Sequence, residues 1–450
     1  MLYRKITSVI KSKLENKNNP ILLVEGARQV GKSFSIRYVG KQLFKNFIEI
    51  NLVEDKENIH LFENVGNVED FHIALSSIAG GKLGNNDDTL IFLDEIQEYP
   101  RLFTLLKFLR EENKYRYVAS GSLLGVTMRK SVSLPLGAID IIRMYPLDLE
   151  EFMIANNVGE KAIDTIRENF KQQTSLSEEL HHRFLDLFKK YLITGGLPAV
   201  INEYLTSHNI FLVRNIQSNI HSLYSIDAAK YDEAHRLKIQ RLYNLIPSNM
   251  ENKKKRVIFK EIEGSKGKKR SDYDEEIEYL VNAGVCLEVK AISNPKFPLI
   301  ETEHKNLLKL YLNDVGLLSN LLYRNNVSAI LNDERSINLG SVYECAIAME
   351  LASHNYNLFY YDNRKNGEVD FLIDDYNKLT VVPIEVKSGK DYTIHHALNK
   401  FLNNPEYNIK KGVVISNQRE VKESNGIVYI PVYMSICFDN SVSEESLIYI

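Results

Sequence analysis

Residues 26–33 read GARQVGKS: a glycine, four intervening residues, then Gly-Lys-Ser. That spacing suits a loop that grips phosphate, because glycines let the backbone curl while its N–H groups and the next helix N-terminus face negative charge. Gly26 and Gly31 would shape the curl, with Gln29, Val30 and Phe34 completing the lining expected around a nucleotide. Lys32 would reach the β- and γ-phosphates, and the Ser33 hydroxyl would bind Mg²⁺. Further on, LIFLDEIQ at 90–97 ends an apolar run in two adjacent carboxylates. Asp94 would hold Mg²⁺, and Glu95 would polarise the attacking water as general base. The pairing of loop and acids makes ATP and Mg²⁺ the expected cofactors. In YVASGSLLG (117–125), Ser120 or Ser122 would stand near the γ-phosphate; an ordinary strand-to-loop turn is the competing reading.

A second set of reactive groups lies near the other end of the chain, in GEVDFLI (367–373) and PIEVKSG (383–389). The bare Glu-x-Lys pattern carries little information, since it recurs at Glu112/Lys114, Glu251/Lys253, Glu288/Lys290, Glu303/Lys305 and Glu420/Lys422. Its setting says more. Glu385 and Lys387 are two apart on an expected strand and so share a face, and a hairpin turning at Asp374–Lys378 brings Asp370 beside them unless the register slips by one. Asp370 and Glu385 would hold a second Mg²⁺ or Mn²⁺, and Lys387 would orient water or neutralise developing charge, as phosphodiester hydrolysis requires. Glu344 is the fourth candidate member of the set, as a further metal ligand, against which stands a plain capping box formed with Ser341. This arrangement resembles the core of the restriction-endonuclease-like superfamily, whose members can keep the fold after losing the activity.

Elements must hold these groups. Apolar runs at Ile21–Val24, Phe47–Ile50, Leu90–Leu93 and Tyr117–Ala119 alternate with helical patterns near 32–45, 69–79 and 101–112, predicting a parallel sheet between helices. An amphipathic helix precedes them, carried by Leu2, Ile6, Val9, Ile10 and Leu14. From 147 to 246 the pattern is helical, opened by an Asp148/Glu151 capping box and broken at Gly195, Gly196 and Pro198. Helices at 235–247 and 273–283, then strands at Val285–Ile292 and Lys309–Asn313, read as a winged-helix-like segment. After it, the order helix 340–353, strands 357–361, 368–373 and 380–386, helix 395–403 and strand 412–416 predicts a second α/β domain.

The net charge of −3 exerts no global pull on nucleic acid, so contact would depend on the local basic segment 253–270, with Lys253, Lys254, Lys255, Arg256, Lys266, Lys268, Lys269 and Arg270. Three scattered cysteines exclude a disulfide framework or zinc site and fit a reducing compartment. No apolar run approaches the roughly 20 residues of a membrane span, so a cytoplasmic chain without membrane contact is expected.

The phosphate motifs, followed by PLDLEEF (146–152), GGLPAV (195–200) and LYLNDVGLL (310–318), resemble a family of bacterial and archaeal AAA-type ATPases whose C-terminal half is a domain of unknown function. The resemblance implies an α/β architecture with an AAA+-like P-loop core (1–145), a helical lid (146–230), a winged-helix-like domain (231–330) and a restriction-endonuclease-like end (331–450). Many relatives carry Gly-Arg before the Pro-Leu motif, whereas this chain has Gly137 and Ala138. No arginine finger carries over, Arg129 and Arg143 being unsupported substitutes, so homo-oligomerisation is left open. Two functions follow: an ATPase coupled to a nuclease-like domain that acts on or binds nucleic acid, or a regulatory or signalling ATPase switch whose C-terminal domain is inactive and binds DNA or protein.

Overall fold

A computed structural model describes residues 1–16, 20–53, 59–63, 65–122, 137–227, 235–252, 255–264, 266–334, 337–363, 365, 367–389 and 392–440. Arg129, Lys253, Lys254 and the end of the 117–125 motif lie outside them. The chain divides into two compact units, Met1–Tyr145 with Asn282–Val285, and Pro146–Val281 with Cys286–Ile450.

In the first unit the strands β1 (Ile21–Glu25), β2 (Asn46–Asn51), β3 (Thr89–Asp94), β4 (Arg116–Gly121) and β5 (Ile139–Arg143) form one sheet in the order β2-β3-β4-β1-β5. All four pairings are parallel. β1 and β3 are apolar runs buried on both faces, as a parallel sheet covered by helices requires. The helices are α1 (Lys5–Glu15), α2 (Lys32–Leu43), α3 (Ile59–Glu63), α4 (Val68–Ala79) and α5 (Pro100–Glu112). One core gathers Leu23, Ile50, Phe71, Leu75, Ile91, Leu93, Phe103 and Leu106 between sheet and helices. The parallel register turns the C-terminal ends of β1, β3 and β4 to one edge, where α/β sheets place their ligands.

The second unit opens with helices α6 (Leu149–Ala155), α7 (Glu160–Gln172), α8 (Glu178–Thr194), α9 (Pro198–Ser207), α10 (Ile210–Asp227), α11 (Arg236–Glu251), α12 (Phe259–Glu263) and α13 (Asp274–Asn282). The expected Asp148/Glu151 capping box does start α6. Strands β6 (Cys286–Ile292) and β7 (Glu303–Leu312) follow, then helices α14 (Val315–Tyr323), α15 (Ser328–Leu331) and α16 (Gly340–Ser353). The end of the chain supplies β8 (Phe359–Asn363), β9 (Gly367–Asp375), β10 (Thr380–Lys387), α17 (His396–Leu402), β11 (Gly412–Ser416), β12 (Lys422–Ser424) and β13 (Ile427–Pro431). The sheet is eight-stranded, in the order β12-β13-β11-β10-β9-β8-β6-β7. The β6–β7 hairpin, expected to serve a winged-helix-like segment, is the edge of this sheet, because β6 pairs in parallel with β8.

Candidate functional site

β1 delivers the chain to Gly26, whose φ of +152° and close approach to Met144 exclude a side chain; a Cβ there would lie 2.3 Å from the Met144 carbonyl oxygen. Gln29 at φ 65° and Gly31 at φ 101° complete the curl, and α2 begins at Lys32. Val30 is buried, Gln29 and Phe34 are exposed, and the Val30 carbonyl accepts from Arg4 Nη1 at 2.8 Å. Arg4 Nη2 donates to the Tyr145 carbonyl at 2.6 Å, so one buried guanidinium ties the loop to the end of the domain. Sequence reasoning missed Arg4, which sits in no motif. Lys32 is buried, and its Nζ donates to the carbonyls of Gly26 at 3.0 Å and Ala27 at 2.9 Å. The ammonium is therefore held within the curl.

Asp94, at the end of β3, is buried beside the loop. Ser120 Oγ, from neighbouring β4, donates to Asp94 Oδ1, and the Ser33 hydroxyl also hydrogen-bonds this carboxylate. Burial pushes the Asp94 carboxyl above the usual range, against the hydrogen bonds from Ser120 and Ser33 and the nearby Lys32 charge. A buried carboxylate whose ionised form is short of countercharge, with hydroxyl oxygens beside it, is a donor set that fits Mg²⁺. Glu95 adopts a left-handed backbone at φ 57°, and its carboxylate accepts from Gln97 Nε2. Ser122 is buried too, and its hydroxyl has no hydrogen-bond partner among the described residues. Ser33, Asp94 and Ser120 are thus brought together, with Lys32 in electrostatic reach.

Arg143 does not behave as a free finger. Its Nε donates to Glu25 Oε1 at 2.7 Å; burial alone would lower the guanidinium, but Glu25 and Tyr145 hold it up. Ala138, which follows Gly137, is buried.

The C-terminal groups converge on one sheet face. The register pairing Ile384 with Phe371 puts Glu385 and Asp370 next in line across β10 and β9. Asp370 Oδ2 accepts from the Val386 N–H at 2.8 Å, and Glu385 Oε1 accepts from Lys387 Nζ at 2.7 Å. Glu385 Oε2 is buried without a hydrogen-bond partner among the described residues. Glu344 projects from α16 into the same cluster, and the structure corrects its capping-box reading. Leu339 is the N-cap residue of α16, and Ser341 Oγ donates instead to the Met250 carbonyl at 2.9 Å. Glu344 pairs with Lys255, accepts from Tyr311 OH at 3.0 Å and lies 3.9 Å from Lys309 Nζ. Lys309, fully buried, is 2.6 Å from Glu368. Sequence reasoning missed Lys309 and placed Lys255 in the basic segment expected to contact nucleic acid, whereas it is ion-paired with Glu344.

Burial, then Glu344 and Glu385, push the Asp370 carboxyl well above the usual range. Burial also raises Glu385, against Lys387, whereas for Glu344 burial is outweighed by Lys255 and Lys309, which hold it low. Among the described residues Glu385 is ion-paired with Lys387 and Glu344 with Lys255, while Glu385 Oε2 is left without a partner and Asp370 accepts from a backbone N–H.

The basic segment is largely engaged. Arg256 lies 3.2 Å from Asp362, Lys268 3.2 Å from Glu263, and Arg270 2.7 Å from Glu288. Lys266 and Lys269 are exposed. A further group unforeseen from sequence, Asp148, Glu350 and His354, brings ligand-type atoms within 4.8 Å of one another, but Asp148 caps α6 and Glu350 accepts from the Leu149 N–H at 3.0 Å. No helix among the described residues is long and apolar enough to cross a membrane.

A family model described as an AAA domain matches residues 18–153. Two models described as domains of unknown function match residues 185–328 and 339–434. No curated protein matches. Among solved structures, the chain is similar to the Walker-type ATPase PABY2304 of Pyrococcus abyssi, with 15% identity over 71% of this chain and 96% of that one, TM-score 0.42. It is also similar to the Aeropyrum pernix ORC1 protein in complex with DNA, with 12% identity over 74% and 91%, TM-score 0.27. Cdc6p from Pyrobaculum aerophilum matches with 11% identity over 73% and 93%, TM-score 0.25. At such TM-scores the likenesses stand beside the domain match without adding to it. With the phosphate loop, buried Asp94 and parallel sheet already in place, that match identifies residues 18–153 as an ATP-binding AAA-type P-loop ATPase domain.

Proposed function

We propose that this chain hydrolyses ATP with Mg²⁺ and couples the nucleotide cycle to a C-terminal centre that acts on phosphodiesters. The observation that carries the reading is the meeting of Ser33, Asp94 and Ser120 beside a loop that encloses Lys32. Ser33 and Asp94 would hold Mg²⁺, which supplies charge neutralisation at the phosphates. Lys32 would exchange its loop carbonyls for phosphate oxygens, and Glu95 is the general base that would orient water. In the C-terminal centre Asp370 and Glu385 are the cation ligands and Lys387 the group that neutralises charge. Exposed Lys266 and Lys269 are the remaining described candidates for nucleic-acid contact from the middle segment.

The second reading is a regulatory ATPase with a silent C-terminal centre, favoured by the ion pairs of Glu344 with Lys255 and Lys309. Such pairs supply internal cations where a metal would otherwise be needed. One experiment separates the two. Purified protein is given ATP and plasmid with Mg²⁺ or Mn²⁺, beside Glu95→Gln and Lys387→Ala. Glu95→Gln should lower ATP turnover by about 10²–10⁴-fold while nucleotide still binds. Metal-dependent nicking that disappears in Lys387→Ala supports the coupled nuclease; turnover without any nicking leaves the regulatory switch. Undiminished turnover in Glu95→Gln overturns the assignment of Glu95 as the base, which both readings share.

A further inference from the structure

Two lysines stand beside Glu344 in the C-terminal centre, and they are held in different ways. Lys309 has a fully buried side chain, with its Nζ 2.6 Å from Glu368 and 4.8 Å from the centre of the Tyr360 ring. Lys255 lies between α11 and α12, and its ammonium donates to Glu344 Oε1. That oxygen is its one hydrogen-bond acceptor among the described residues. The Lys255 side chain also keeps 15% of its surface exposed, so it has a way out that Lys309 lacks. Taking Asp370 and Glu385 as cation ligands, we propose that Lys255 is a displaceable counter-cation of this centre. Its ammonium and a divalent metal ion compete for Glu344, and loading the centre exchanges one for the other.

The oxygens of the centre are divided in a way that suits such an exchange. Glu344 Oε2 accepts from Tyr311 OH, Glu385 Oε1 from Lys387 Nζ, and Asp370 Oδ2 from the Val386 N–H. Each carboxylate thus spends one oxygen on a donor carried by β7 or β10. Glu385 Oε2 is buried without a hydrogen-bond partner among the described residues, and Glu344 Oε1 has Lys255 alone. Once Lys255 withdraws, two carboxylate oxygens are left without donors, and hard divalent cations take oxygen ligands of that kind. Charge points the same way. When ionised, Glu344, Glu368, Asp370 and Glu385 carry one negative charge more than Lys255, Lys309 and Lys387 supply. A divalent ion added on top would leave the buried group with one positive charge in excess, whereas the same ion taken in place of Lys255 leaves it neutral. Uncompensated buried charge is costly, so exchange wins over addition. Lys255 is also held electrostatically: burial alone would lower its ammonium, but Glu344 and then Asp370 hold it up. A tie of that kind weakens when a competing cation arrives, and the flexible lysine stem can carry the ammonium to water.

The test titrates Mn²⁺ by calorimetry into nucleotide-free, full-length protein. Heat that is absent from Glu385→Gln belongs to this centre rather than to the phosphate loop. Lys255→Met is expected to bind Mn²⁺ at least about tenfold more tightly than wild type, while Lys255→Arg, which keeps the charge, is not. Because Lys255→Met leaves Glu344 buried without its cation and melts lower, a measurement on the wild type accompanies it. Lysines are acetylated with and without saturating Mn²⁺ and read by peptide mass spectrometry. Labelling of Lys255 should rise several-fold with the metal, and Lys309 should stay protected. Equal Mn²⁺ affinity in wild type and Lys255→Met, or Lys255 labelling that the metal leaves unchanged, overturns the exchange while metal ligation by Asp370 and Glu385 stands. No saturable heat from either protein up to about 10 mM Mn²⁺ overturns the exchange and the cation ligands together.

Discussion

At the scale of single residues, the phosphate loop is a place where one carbon atom decides. Gly26 combines a positive φ with a carbonyl 2.3 Å from where a Cβ would sit, so Gly26→Ala must displace either the loop or Met144. Backbone strain of this kind is worth about 1–3 kcal/mol. Gly26→Ala is therefore expected to lose measurable Mg·ATP binding and to lower stability by that amount, as calorimetry and urea titration would read; unchanged binding contradicts the curl as described. The loop residues are legible in the sequence itself, because phosphate binding dictates residue types at fixed local spacing. Arg4 is not, since its partners Val30 and Tyr145 are brought near it only by the fold. Glu344 is legible as an acid but not in its role. Ser-x-x-Glu serves a helix start equally well, and only the inward course of α16 decides between the two.

At the scale of elements, pH exposes which helices are packed. His221 on α10 stacks on Tyr243 of α11, with ring centroids 4.9 Å apart, and burial lowers its imidazole to about 4. The unfolded ring titrates near 6.5, so the unfolded chain takes up the proton first. The stabilising contribution is complete above about 6.5 and is lost as pH falls toward 4, by up to about 3 kcal/mol. His221→Phe keeps the stack and should flatten the fall in melting temperature between those pH values. A parallel curve in the variant would contradict it. Buried Asp314 works in the opposite sense: burial raises it to about 6, so its contribution is present below about 4 and fades as pH rises through 6. The comparison must therefore be wild type against variant at each pH. Strands β1 to β4 are readable as apolar runs bounded by helical patterns. The short, partly exposed β5 lacks that contrast, and the parallel pairing of β6 with β8 joins segments far apart in sequence, which no local periodicity encodes.

At the scale of the whole molecule, the two units rest on different physics. The first is organised around a sheet edge that takes up a ligand; the second buries a cluster of opposite charges, in which Glu344 is held by Lys255, Lys309 and Tyr311. Removing one member of a buried pair leaves its partner uncompensated, at a cost of about 3–5 kcal/mol. Glu344→Gln should lower the unfolding free energy read by urea titration by that much, and the double change Glu344→Leu with Lys255→Met by clearly less. Equal losses in the two variants would show that packing, not charge, is at stake. The motifs outside the phosphate loop acquire a plain meaning here. Asp314 accepts from the Gly196 N–H at 2.6 Å and caps α14, while a Cβ on Gly195 would strike Asp314 at 2.1 Å, on Gly196 the Leu147 carbonyl at 2.1 Å, and on Gly316 the Thr194 carbonyl at 2.4 Å. Three stretches of chain distant in sequence are thereby keyed to one another like teeth of a lock. Transplanting any of them alone into another scaffold should fail, and a randomised library should recover these glycines together with Asp314 as a set.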